Sequence, residues 1–141
     1  MRAHVTLLAP FTKPDQLVAG RVREVREILA PFVPFDFELT ETGYFDLGSR
    51  RVLYLRPDPA EPFLDLINAL VEGFPEHPPY GDSTLEPIPH VTIATTSDDR
   101  LLKRIEHAVR PRLPITARAD EAWVVEYGEH GCHTRSRISL G

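Results

Sequence analysis

The stretch Ala3-His4-Val5-Thr6-Leu7 returns later in the chain as Pro89-His90-Val91-Thr92-Ile93. An internal repeat of this kind sets the reading of everything around it. After the first copy, Thr12 and Asp15 have capping-box spacing, with Pro14 in the first helical turn. Val18, Val22, Val25 and Leu29, with Leu17 and Ile28 beside them, then recur at helical spacing until Pro31. After the second copy, Ser97 is placed to cap a helix. Asp98 and Asp99 suit the positive end of its dipole, and Leu101, Leu102, Ile105 and Val109 form the apolar stripe up to Pro111.

Each helical pattern gives way to alternation. Phe35, Phe37 and Leu39 alternate with Asp36, Glu38 and Thr40. In the second half Ile115, Ala117 and Ala119 alternate with polar neighbours, and Trp123, Val125 and Tyr127 continue the strand. Turn residues follow, Asp46 to Ser49 in one half and Gly128 to Gly131 in the other, and then a closing strand, Arg51 to Arg56 or Cys132 to Leu140. Both halves read as strand, helix, strand, strand. Between them lies a helix capped by Asp58, with Pro59 at its first position, an apolar face of Leu64, Ile67, Leu70 and Val71, and an end at Gly73. A loop rich in Pro and Gly, Pro75 to Pro89, follows it. The expected fold is α+β: two pseudo-symmetric βαββ lobes whose antiparallel sheets line a central cleft, with helices outside. One bilobal domain spans 1–141, with lobe one at about 1–57, the connecting helix and loop at 58–87, and lobe two at about 88–141.

On a strand, residues two apart share a face. His4 and Thr6 therefore point one way and Val5 and Leu7 the other. The same holds for His90 and Thr92 against Val91 and Ile93. The apolar partners belong beneath the helices, which leaves the His-Thr pairs on the open faces. Two lobes packed about a two-fold axis through those faces set the pairs against each other. In-line displacement at phosphorus uses such a pair of imidazoles, one taking a proton while the other gives one. The threonine hydroxyls can donate to the non-bridging phosphate oxygens. No His/Cys/Asp set has standard metal-ligand spacing, so neither a metal nor another cofactor is expected.

Composition narrows the classes further. The 42% hydrophobic and 26% charged content is that of a globular domain. The net charge of −5 disfavours a large nucleic-acid footprint, leaving local basic clefts at Arg50 and Arg51 or at Arg135 and Arg137. With a single cysteine, Cys132, no intrachain disulfide can form. No apolar run reaches membrane-spanning length, and Met1 to Pro10 is too polar for a signal peptide. The expectation is a cytoplasmic protein with no membrane partner. Trp123 and Cys132 are expected in the core, and His107 in solvent.

The paired His-x-Thr motif resembles the two-histidine (2H) phosphoesterase superfamily, and within it the 2'-5' RNA ligase or RNA cyclic phosphodiesterase branch. The similar strings are His4-Val5-Thr6-Leu7-Leu8-Ala9-Pro10-Phe11, Pro79-Tyr80-Gly81, Pro89-His90-Val91-Thr92-Ile93-Ala94, and the ending from Trp123-Val124-Val125-Glu126 to Leu140-Gly141. The resemblance implies a metal-independent hydrolase acting on 2',3'-cyclic phosphate ends of RNA or nucleotides, with reversible 2'-5' ligation by the same residues. His4 and His90 match the family's catalytic histidines, and Thr6 and Thr92 its phosphate-contacting hydroxyls. To these the residues add Tyr80 and Arg135 as substrate contacts. The chain departs from the family where Ala9 and Cys132 stand at positions commonly aromatic, and in having His4 so near the first residue. The alternative is a non-catalytic RNA- or nucleotide-binding module on the same scaffold, which would bind without turnover.

Overall fold

A computed structural model of the chain describes residues 3–9, 19–76, 86–129 and 131–141. The elements are α1 (Ala19–Leu29), β1 (Phe35–Asp46), β2 (Arg51–Asp58), α2 (Glu61–Gly73), β3 (Val91–Thr96), α3 (Asp99–Val109), β4 (Ile115–Ala119), β5 (Glu121–Gly128) and β6 (Gly131–Ser139). A 3-10 turn, Arg110–Arg112, closes α3. Among the described residues every strand pairing is antiparallel, and the architecture is the expected α+β one. Among the described residues, no helix is long and apolar enough to cross a membrane.

The sheets do not follow the order of the chain. One sheet has the order β3-β2-β1-β4, and β5-β6 form a two-stranded ribbon. The stretches 1–57 and 88–141 thus share the four-stranded sheet. The alternation expected to run on through Trp123 divides at Asp120, so that β4 joins β1 while β5 joins β6. Two cores result. Val25 and Leu29 of α1, with Leu66, Leu70 and Phe74 from α2 and its end, pack on Val124, Ile138 and Leu140 of the ribbon. Leu39, Leu55 and Val91 of the large sheet pack with Val5, Ile93 and, at the end of α3, Val109. The hairpin of the first half therefore builds the sheet beneath the second half's helix, and the second hairpin covers the first half's helices.

Local signals and structure agree in part. The β1–β2 turn falls at Asp46 to Ser49, where the Asp46 carboxylate accepts the Gly48 N–H at 2.9 Å and Gly48 has φ 87°. The cap of α3 is Asp98, not Ser97: its carboxylate accepts from the N–H groups of Arg100 and Leu101, both at 3.1 Å. The connecting helix starts at Glu61 after an Ala60 N-cap, with Pro62 in its first turn. Asp58 instead completes β2, paired with Glu38. That helix buries Phe63, Leu66, Ile67 and Leu70, so its face lies to one side of the expected Leu64 and Val71, which are only half-buried. Cys132 is exposed, because it sits near the tip of the ribbon, away from either core. Trp123 is half-buried: its indole N–H donates to Glu121 at 2.8 Å and Arg137 lies over its ring at 4.3 Å. His107 is exposed, as expected. Thr12, Pro14, Asp15, Leu17, Val18, His77 and His130 lie outside the described residues.

Candidate functional site

β3 carries the second His-x-Thr copy. Val91 is 5% exposed and belongs to the second core, where Ile93 packs against it. Alternation then turns Thr92, and His90 just ahead of the strand, to the opposite face. Thr92 is exposed and His90 is half-exposed. The first copy, expected as a full strand, makes a single antiparallel bridge, Val5 to Val91. That one bridge relates the two copies: the middle residue of each His-x-Thr triplet pairs with the middle residue of the other. Carried one residue either way in antiparallel register, that bridge would set His4 against Thr92 and Thr6 against His90. Val5 packs into the second core together with Val91. His4 and Thr6 are exposed.

The array continues across the sheet. Tyr54 of β2 pairs with Thr92 and Leu55 with Val91, so the next position outward, Arg56, stands beside His90. On the far side of β2, Tyr54 faces Gly43 and Arg56 faces Glu41. Gly43 has a local cause: a Cβ there would lie 2.5 Å from the Tyr54 ring carbon Cζ. With that space clear, Tyr54 lies down over the strand and is 2% exposed. Phe45 stacks on it, with ring centroids 4.3 Å apart. His90 meets both rings edge-on, at 4.9 Å from Phe45 and 5.4 Å from Tyr54.

The His90 ring is also fixed through a hydrogen bond. Its Nδ1 lies 2.7 Å from the Ile88 carbonyl oxygen. A carbonyl only accepts, so Nδ1 carries the proton and the neutral ring presents Nε2 as its bare nitrogen. A nitrogen so prepared can take a proton from water or, once protonated, give one to a leaving oxygen.

Tyr80 lies outside the described residues. Arg135 sits where β6 carries an extra residue between the Val124–Ser136 and Val125–Thr134 pairs, and it is ion-paired to Glu126 at 3.1 Å. Arg51 pairs with Asp99 of α3 at 3.5 Å and covers the Tyr44 ring at 4.4 Å, so its charge serves the helix side of the sheet. A cavity of about 830 Å³ is lined by His4 and Thr6 together with core residues such as Leu29, Phe74 and Val124, but not by His90 or Thr92. Its largely apolar walls make it a seam between the cores that the first His-x-Thr copy borders, whereas His90 and Thr92 lie on the open face of the sheet. Sequence reasoning did not single out Phe45, Tyr54 or Arg56. The legible signal was Gly43 in a strand interior, which marks close approach of a neighbouring group.

Comparison with known proteins agrees with this architecture. The crystal structure of TT0787 from Thermus thermophilus superposes with a TM-score of 0.70 at 21% identity, covering 98% of this chain and 78% of that one, and so shares the fold. A Bacillus licheniformis protein with a provisional phosphoesterase name is 28% identical over 96 residues, which is 68% of this chain and 54% of that protein. The chain thus spans about half the length of that curated relative. The family model described as the 2'-5' RNA ligase superfamily matches residues 1–131, which include both His-x-Thr copies and the strands flanking them. By that match the chain belongs to the 2'-5' RNA ligase superfamily.

Proposed function

We infer that the chain is a metal-independent phosphoesterase that opens 2',3'-cyclic phosphate ends of RNA or of nucleotides. Its partner is then a nucleotide or RNA end, and its setting the cytoplasm. The observation that supports this reading is the Val5–Val91 bridge, which brings the two His-x-Thr copies alongside each other in opposite directions.

In hydrolysis a water oxygen attacks phosphorus as one imidazole, His4 or His90, takes its proton. The bond from phosphorus to one ribose oxygen breaks, and the other imidazole protonates that oxygen. A phosphomonoester and a free ribose hydroxyl leave, and the two rings exchange their protons with solvent for the next turnover. Thr6 and Thr92 donate hydrogen bonds to the non-bridging oxygens as charge gathers on them. The same sequence with a ribose 5'-hydroxyl in place of water, and the 3'-oxygen as the protonated leaving group, gives 2'-5' ligation, and its reverse re-forms the cyclic phosphate.

The test is incubation of the purified chain with 2',3'-cyclic nucleotides and with RNA ending in a cyclic phosphate. His4→Ala and His90→Ala are each expected to lower the rate by about 10² to 10⁴. The pH–rate profile is expected to be bell-shaped, and EDTA to leave turnover unchanged. Equal turnover by the wild type and the double histidine variant would remove the reading. Binding that survives both substitutions without turnover would identify a binding module instead.

A further inference from the structure

The open face of the large sheet carries a guanidinium that the two-histidine reading does not use. Arg56 is exposed and, by the register of β2 with β3, is the cross-strand neighbour of His90. Two features of its surroundings point to an anion. First, its anchor is neutral. The guanidinium donates to the Tyr54 hydroxyl at 3.3 Å and lies over the Tyr54 ring at 5.8 Å. Arg118, Arg135 and Arg51 are each tied to a carboxylate within 4 Å, whereas among the described residues no carboxylate pairs with Arg56 at that distance. Glu41 stands opposite on β1 and adds only a more distant field. Second, the anchor is itself rigid. Tyr54 is buried, laid over Gly43 and stacked on Phe45, and the same ring edges His90. One aromatic side chain therefore orients both the imidazole and the guanidinium.

We propose that Arg56, seated on Tyr54, is the cation that holds the substrate's phosphate beside His90. This deepens the phosphoesterase reading and rests on it. The threonine hydroxyls of the site are neutral, so a phosphate there lacks a fixed positive charge unless a side chain brings one. Arg supplies paired N–H donors whose spacing matches two phosphate oxygens. The β2–β3 register carried one position past Leu55–Val91 then places this cation on one side of the imidazole.

The experiment uses the whole chain and inorganic phosphate as probe. Affinity is read by calorimetry, and the place of binding by the imidazole signals of His4 and His90 in NMR. Phosphate is expected to shift the His90 signals. Arg56→Ala should weaken binding about ten-fold or more, and Arg56→Lys by less, because one point charge replaces a two-donor fork. Tyr54→Phe keeps the ring but removes the hydroxyl that seats Arg56, and is expected to weaken phosphate binding about two- to five-fold with the His90 signals otherwise in place. A distant surface charge would not respond to Tyr54→Phe at all. Wild-type affinity in Arg56→Ala, with the His90 signals still shifting, overturns the proposal while leaving the two-histidine site intact. Phosphate that moves neither imidazole in the wild type overturns the site reading and the proposal together.

Discussion

Glu106 of α3 is held by three side chains. It accepts from Thr42 at 2.6 Å and Tyr44 at 3.0 Å, both on β1, and pairs with Arg110 at 3.3 Å. Its side chain is 14% exposed. Burial alone would raise its pKa, but the bonds from Thr42 and Tyr44 and the Arg110 charge outweigh burial and hold it below the ordinary 4.5. Tyr44 moves the other way: burial, then the Glu106 bond and charge, raise it above 10.0. The signs give a window. The depressed carboxyl contributes stability above pH 4.5 that is lost as pH falls through its folded value. The raised phenol contributes stability below pH 10.0 that is lost as pH rises through its own. Glu106→Gln is therefore expected to cost about 1–3 kcal/mol near neutrality and progressively less toward acid. Urea unfolding of wild type and variant at several pH values measures this. A constant difference down to pH 3 would contradict the assignment. No sequence rule pointed to this trio, since Glu106 and Thr42 come together only when α3 docks on the sheet.

At the level of elements, the helices show how far local signals reach. The α3 stripe Leu101, Leu102, Ile105 and Val109 was legible, and Leu102 is fully buried. The cap was misplaced by one residue because Ser97 and Asp98 are both good N-caps, and only backbone geometry selects between them. Asp98 wins: its own N–H donates to Thr96 at 3.1 Å, while its carboxylate takes two helix N–H groups. Asp98→Ala is thus expected to lower stability by about 0.5–2 kcal/mol, and Ser97→Ala to leave it near wild type. Thermal melts of the two variants separate these outcomes, and the reverse order would restore Ser97 as the cap. Of the expected α2 face, Ile67 and Leu70 are buried, but Leu64 and Val71 are only half-buried and Phe63 and Leu66 take their place. A helix this rich in apolar residues offers more than one plausible stripe, and its neighbours choose among them. Here Phe63 is drawn in by Phe35 and Phe37 of β1, at ring separations of 5.0 and 4.9 Å.

For the whole molecule, the decisive feature is the crossing of the two halves at Val5 and Val91. If this bridge holds the histidines together, Val5→Asp should separate them by setting a carboxylate against the core beneath Val91. Turnover of a cyclic nucleotide is expected to fall as far as in His4→Ala, with far-UV circular dichroism close to wild type. Retained turnover would show that the bridge does not assemble the site. The repeat, the α3 stripe and the alternation that turns Thr92 away from Val91 were readable along the chain, because stripe and alternation each depend on the backbone period of one element. The turns at 46–49 and 128–131 also marked the β1–β2 and β5–β6 hairpins, but which strands lie side by side beyond those hairpins was not readable. Alternation tells which side chains share a face, but pairing is settled between segments far apart by the burial of whole faces. Only the folded molecule could therefore bring β2 beside β3, lay Tyr54 over Gly43 and set Arg56 next to His90.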